Sequence, residues 1–163
     1  MKTLLLIRHA KSSWDNLQLT DFERPLNDRG KKDAPLMAKK IKERKIIIDR
    51  FISSPAKRAK KTAAIFMDEY DAHEKDLVLL PSLYEASVKN FYDAVENIND
   101  KDDTVALFSH NPGITDFANT LTQENIDNMP TCGVFAIKVK TKKWKEFKKA
   151  EKEFLFLDYP KNS

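Results

Sequence analysis

An apolar run, Leu4 to Ile7, breaks off at Arg8 and His9 and is followed by the hydroxyls of Ser12 and Ser13 and by Trp14. A guanidinium and an imidazole are costly to desolvate, so their place at the end of a core-type run calls for a compensating role. Two other segments have the same make-up: "SSPAKRA", Ser53 to Ala59, which holds Arg58, and "SHNPG", Ser109 to Gly113, which holds His110. If the three share one crevice, they supply two guanidiniums, two imidazoles and a helix N-terminus. That is the donor set a phosphoryl group with three equatorial oxygens demands. A neutral imidazole held in one tautomer attacks phosphorus, while permanently charged arginines stabilise the charge that develops on the oxygens. One histidine is then the nucleophile and the other a donor, and the spacing fits either assignment.

The sequence contains no glycine-rich phosphate loop, HExxH, CxxC or carboxylate cluster at metal spacing, which argues against a nucleotide cradle and against metal-dependent hydrolysis. A zinc site on two histidines is opposed by the nearby arginines. Neither a metal nor a cofactor is therefore expected. The one cysteine, Cys132, reads as a small core residue, His73 as a surface histidine, and Trp14 as a packing residue or pocket wall.

The elements that must position these groups alternate. Strand-like runs at Leu4–Ile7, Asp49–Pro55, Asp76–Pro81, Asp103–His110 and Cys132–Lys140 are separated by helical periodicities. Ala34, Met37, Ala38 and Ile41 form one such face, Ala59, Ala63, Phe66, Met67 and Tyr70 a second, and Val88, Phe91, Tyr92, Val95 and Ile98 a third. Ile114–Leu121 adds a shorter helix. Pro35 leaves the start of the first helix open, with Asn27 as a cap for an earlier turn. The tail, Lys142–Tyr159, reads as a surface-packed strand or turn. This alternation predicts a three-layer α/β/α sandwich around a mainly parallel sheet, with ligands outside the carboxyl ends of the strands.

At 163 residues, 41% hydrophobic and 33% charged, the chain is expected to form a single domain over residues 1–163. The first apolar run is too short for a signal segment or a membrane span, and a lone cysteine asks for no oxidising compartment. A cytoplasmic protein without a membrane partner is expected. A net charge of +4 is modest, so no nucleic-acid partner is expected, and the lysines of Lys138–Lys152 read as a solvated face.

"LIRHAKSSW", "SSPAKRAKKTA", "LYEA" and "FSHNPG" occur in this order and at domain-scale spacing. With them the chain resembles the histidine phosphatase superfamily, whose fold is phosphoglycerate-mutase-like, and within it the short SixA-type phosphohistidine phosphatases. The likeness runs nearly end to end and is weakest after Val139. It implies that His9 is the nucleophile that becomes phosphorylated, and that Arg8, Arg58 and His110 complete the phosphate pocket. Ser12 and Asn16 would be further phosphate contacts, Asn16 standing one residue out of register. Glu85 would protonate the leaving group; the other reading of Glu85 is a helix N-terminal carboxylate before Val88. A departing imidazole has a conjugate-acid pKa of about 6.5 and needs such an acid far less than an alkoxide does.

Ala10 stands where the family's commonest signature has glycine, which predicts strain if the backbone there needs positive φ. The chain also lacks room for the capping insertions of the mutases. The expected activity is that of a metal-independent phosphatase acting on protein phosphohistidine through a covalent phospho-His9 intermediate, with a phosphorylated protein such as a histidine phosphotransfer domain as partner. A phosphatase of small phosphate esters and a non-catalytic phosphate-binding module are the alternatives, the second disfavoured because binding alone needs only cations.

Overall fold

The computed structural model describes residues 1–160. Six strands form one sheet in the order β3-β2-β4-β1-β5-β6: β1 Lys2–Arg8, β2 Arg50–Ser53, β3 Leu77–Leu79, β4 Thr104–Ser109, β5 Val134–Val139 and β6 Lys152–Asp158. The first four in this order pair parallel, and β5 and β6 close one side antiparallel. Continuous apolar runs put β1 and β4 at the centre, because only a strand covered on both faces buries successive side chains. In the edge strand β6 half-buried and exposed positions alternate at first instead.

The helices α1 (Asp28–Glu43) and α2 (Lys57–Glu69) cover one face, where Met37, Ile41, Phe66 and Met67 pack on Leu5, Ile7, Phe51 and Phe108. Against the opposite face lie α3 (Val88–Glu96) and α4 (Gly113–Ala118), where Phe91, Val95 and Phe117 meet Leu4, Leu6 and Leu107. The chain therefore leaves β1 towards one face and its neighbour β4 towards the other. Their carboxyl ends splay and open a crevice at this switch point. Arg8 pairs with Ser109 in register, and Ser53 pairs with Phe108 on the other side of β4, so the segments carrying His9, Arg58 and His110 emerge side by side.

Three expectations change. α1 starts at Asp28, its N-cap Asn27 accepting the Gly30 N–H at 2.8 Å, and it runs straight through Pro35, so the helix begins well before the Ala34 periodicity. α4 ends at Ala118, short of Leu121. The tail does form a turn, Trp144–Glu146, and the half-exposed edge strand β6, but its first part is not surface-packed. Trp144 and Phe147 are fully buried under α3, and the Trp144 indole N–H donates to the Asp102 carbonyl at 2.7 Å. Their i, i+3 spacing is that of one helical turn, and it drives both aromatics into the core while Lys145 and Glu146 between them stay outside. Among the described residues no helix is long and apolar enough to cross a membrane.

Gly30, in the first turn of α1, lies against the Lys11 carbonyl of the segment that follows β1, and an added Cβ would collide with that backbone oxygen. Gly30→Ala is expected to destabilise the protein by about 1–3 kcal/mol, opposite in sign to the gain that helix propensity alone would give. A urea unfolding midpoint compared with wild type measures the sign.

Candidate active site

His9 is 6% exposed and held on every side. Its N–H donates to the Ser109 carbonyl at 3.1 Å, and its own carbonyl accepts the Cys132 N–H at 3.0 Å. The ring Nδ1 lies 2.7 Å from the Ala10 carbonyl. A carbonyl can only accept, so Nδ1 carries the proton and Nε2 keeps its lone pair. Arg58 Nε–H points at that lone pair from 3.3 Å. Burial chiefly, and then the charges of His110, Arg58 and Arg8, push the His9 pKa down to about 3, only partly opposed by the bond to Ala10. The ring is therefore a neutral base near pH 7. Ala10 is not strained: it is absent from the positive-φ residues, is fully buried, and donates its N–H to Thr62 Oγ1 at 3.0 Å.

His110 lies beside it, with ring centroids 5.1 Å apart. Its Nε2 is 2.7 Å from Ser54 Oγ, and burial together with Arg58 lowers its pKa to about 4. Arg8 donates through Nη1 to the Met129 carbonyl at 2.8 Å. Four of the five buried side-chain nitrogens and oxygens left without a hydrogen-bond partner among the described residues belong to this cleft: Arg8 Nε, Arg24 Nε, Arg24 Nη1 and His110 Nδ1. Buried donors without acceptors are costly, so a cleft lined with them is built for an anion.

The cleft measures about 830 Å³. Of the residues predicted from sequence, Arg8, His9, Ser12, Arg58, Glu85 and His110 line it. Asn16 does not: its side chain accepts the Gln18 N–H at 3.0 Å in an exposed loop, and its neighbour Asp15 faces the cleft, in keeping with the one-residue offset. Glu85 is exposed on the rim at φ 55, without a hydrogen bond or ion pair among the described residues. It is not the helix cap, since Ser87 caps α3 by accepting the Asn90 N–H. Cys132 is buried, its thiol pKa raised by burial, as a core residue should be.

Sequence reasoning missed Asp21, Arg24 and Tyr84. Asp21 stands in a 3₁₀ turn, Asp21–Glu23, that leans over the cleft. Its carboxylate accepts from Arg58 at 3.0 Å and from the Tyr84 hydroxyl at 2.6 Å, and its main-chain carbonyl takes a second Arg58 N–H at 2.6 Å. Burial would raise the Asp21 pKa, but the bonds from Tyr84 and Arg58 outweigh it and hold the carboxyl below its usual range. The same bond pushes the Tyr84 pKa up to about 12. Arg24 lies under the Trp14 ring, which makes Trp14 a pocket wall that also stacks a cation. The one visible signal was "TDFE", a capping-box pattern that announces the turn and not its contacts.

Two outcomes follow from this geometry. Because His9 and His110 are depressed in the folded state, the unfolded chain binds protons that the native one refuses below about pH 6.5. Their contribution to stability is whole above that pH and is lost as pH falls towards about 4 and then about 3. Chemical denaturation across pH 4–7 should show wild type losing more stability than a His9→Gln/His110→Gln variant. Glu85→Gly should raise stability by about 1 kcal/mol by relieving the left-handed backbone, read from the shift of the thermal midpoint.

Comparison with known proteins gives the same frame. An uncharacterized chloroplastic protein of Arabidopsis thaliana is 29% identical over 153 residues, 89% of this chain and 70% of that protein. A 2,3-bisphosphoglycerate-dependent phosphoglycerate mutase of Bartonella henselae is 34% identical over 86 residues, 52% of this chain but only 42% of the mutase. Among solved structures, SixA of Agrobacterium tumefaciens, a proposed phosphohistidine phosphatase, superposes with a TM-score of 0.81 at 20% identity, covering 98% of each chain. The family model of the histidine phosphatase superfamily (branch 1) matches residues 4–116, from β1 into α4, and the chain belongs to that superfamily.

Proposed function

We propose that the protein is a metal-independent phosphatase that removes phosphate from protein phosphohistidine through a covalent phospho-His9 intermediate. The observation that carries this reading is the tautomer of His9: its proton bound to Ala10, its lone pair on Nε2 met by Arg58 Nε–H at 3.3 Å, and buried unpartnered polar atoms around it. His9 Nε2 attacks phosphorus in line and forms a P–N bond as the P–N bond to the substrate imidazole breaks. Arg8, Arg58 and His110 hold the three oxygens, and Ser12 lies at the edge of the same site. The departing imidazole leaves neutral when its far nitrogen is protonated. Water then attacks phospho-His9, releasing inorganic phosphate and restoring the lone pair.

Proton supply bears on the substrate. Asp21, held ionised by Arg58 and Tyr84, is a poor acid; Asp15 and Glu85 are the other carboxyls lining the cleft, and Glu85 on the rim is the one that the family resemblance offers for protonating a leaving oxygen. An imidazole leaving group makes that proton dispensable. Glu85 in the cleft is also the observation that favours a second reading, a phosphatase of small phosphate esters, for which it would be the general acid.

Rapid-quench reaction with a ³²P-labelled phosphohistidine protein, with chelator present, tests the cycle. Alkali-stable label should appear on wild type, chase to phosphate and be missing from His9→Ala, and Arg58→Ala should lower kcat/KM by about 10²–10³. Absence of both label and release on wild type would sink the phosphohistidine assignment. Glu85→Gln separates the two readings. Turnover of phosphohistidine should change less than about threefold, whereas loss on the order of 10²–10⁴ on a phosphate ester that wild type turns over better would favour the ester.

A further inference from the structure

Arg24 is not used by the phosphoryl site just described, yet it is built as an anion receptor. The residue is 7% exposed, lines the cleft, and keeps Nε and Nη1 buried without a hydrogen-bond partner. Asp21 Oδ1 stands 3.3 Å from Nε, an ion pair outside hydrogen-bond geometry, while the other oxygen of that carboxylate, Oδ2, serves Arg58 and Tyr84. The Trp14 ring, 69% exposed, lies 3.5 Å from the guanidinium carbon and holds its face. What a stacked guanidinium has left to offer is its edge, whose parallel N–H groups match a carboxylate or phosphate.

Its position differs from that of the other two arginines. Arg58 reaches His9 Nε2 directly, and Arg8 precedes His9 at the end of β1. Arg24 instead ends the Asp21–Glu23 turn and stands against Asp21 and Trp14, on the Asp21 side of the cleft, with its charge still felt at His110.

We propose that Arg24, stacked on Trp14, forms a second anion subsite that binds an oxyanion carried by the substrate next to the phosphoryl group being transferred. The proposal rests on the reading of Arg8, His9, Arg58 and His110 as the phosphoryl site. For a phosphorylated protein the oxyanion is an acidic side chain flanking the phosphohistidine, and for a small substrate it is a carboxylate or a second phosphate. The anion gives the orphaned donors their missing acceptors, and burial under Trp14 strengthens the interaction.

Calorimetric binding of three probes tests it: methylphosphonate, with one anion; 3-phosphonopropionate, with an added carboxylate; and methylenediphosphonate, with an added phosphonate. Wild type should bind at least one of the two-anion probes about tenfold or more tightly than methylphosphonate, and the better of the two identifies carboxylate or phosphate as the second anion. Arg24→Gln should bring that ratio close to one, and Arg24→Lys should restore part of it. A wild-type ratio near one, or a ratio unchanged in a folded Arg24→Gln protein, overturns the subsite while leaving the phosphoryl site standing. Failure of all three probes to bind wild type overturns the phosphoryl site and the subsite with it.

Discussion

Three guanidiniums, Arg8, Arg24 and Arg58, converge on one cleft, and their mutual repulsion is the constraint under which the rest of the site is built. Burial chiefly, and then Arg58, lowers the pKa of both of the others, and Arg58 helps to keep both histidines neutral. Such an array is stable only where rigid elements on several sides hold it. Asp21 offsets it in part, bridging Arg58 to Tyr84 and standing close to Arg24. Buried polar atoms remain without partners there, and the neutral imidazoles follow from burial first and from this field second.

The sheet meets that constraint. β1 and β4 are central, parallel and apolar on both faces, so their ends cannot shift without disturbing two packed layers. The site residues nearest the reacting position follow directly from β1 and β4 or sit in the first turn of α2. Those on the outer side, Asp21, Arg24 and Glu85, belong to turns. Precision is thus greatest at the proposed point of bond exchange and relaxes outward.

Legibility in the sequence follows the same gradient. Arg8, His9 and His110 were readable because each interrupts or follows an apolar run, and Arg58 through the "SSP" before it at the start of a helix; the alternation of strand and helix places such points at one end of a parallel sheet. Asp21 was not, since its partners Arg58 and Tyr84 lie far along the chain and nothing local marks an exposed aspartate as a bridge. Trp144 and Phe147 were hidden by the lysines around them, whose charge suggested a solvated surface even though the two rings share one side of a single turn. Asn16 failed because one residue of offset in a loop reverses which side chain faces inward, whereas in a strand the pleat would have exposed the error.

Thr62 joins two of these parts with one hydroxyl. Its Oγ accepts the Ala10 N–H at 3.0 Å and donates to the Arg58 carbonyl at 2.8 Å, so the loop of the histidine and the first turn of α2 share an anchor. The imidazole and its guanidinium partner therefore move as one body. The rim segments, 12–24 and 84–86, lie outside that shared anchor.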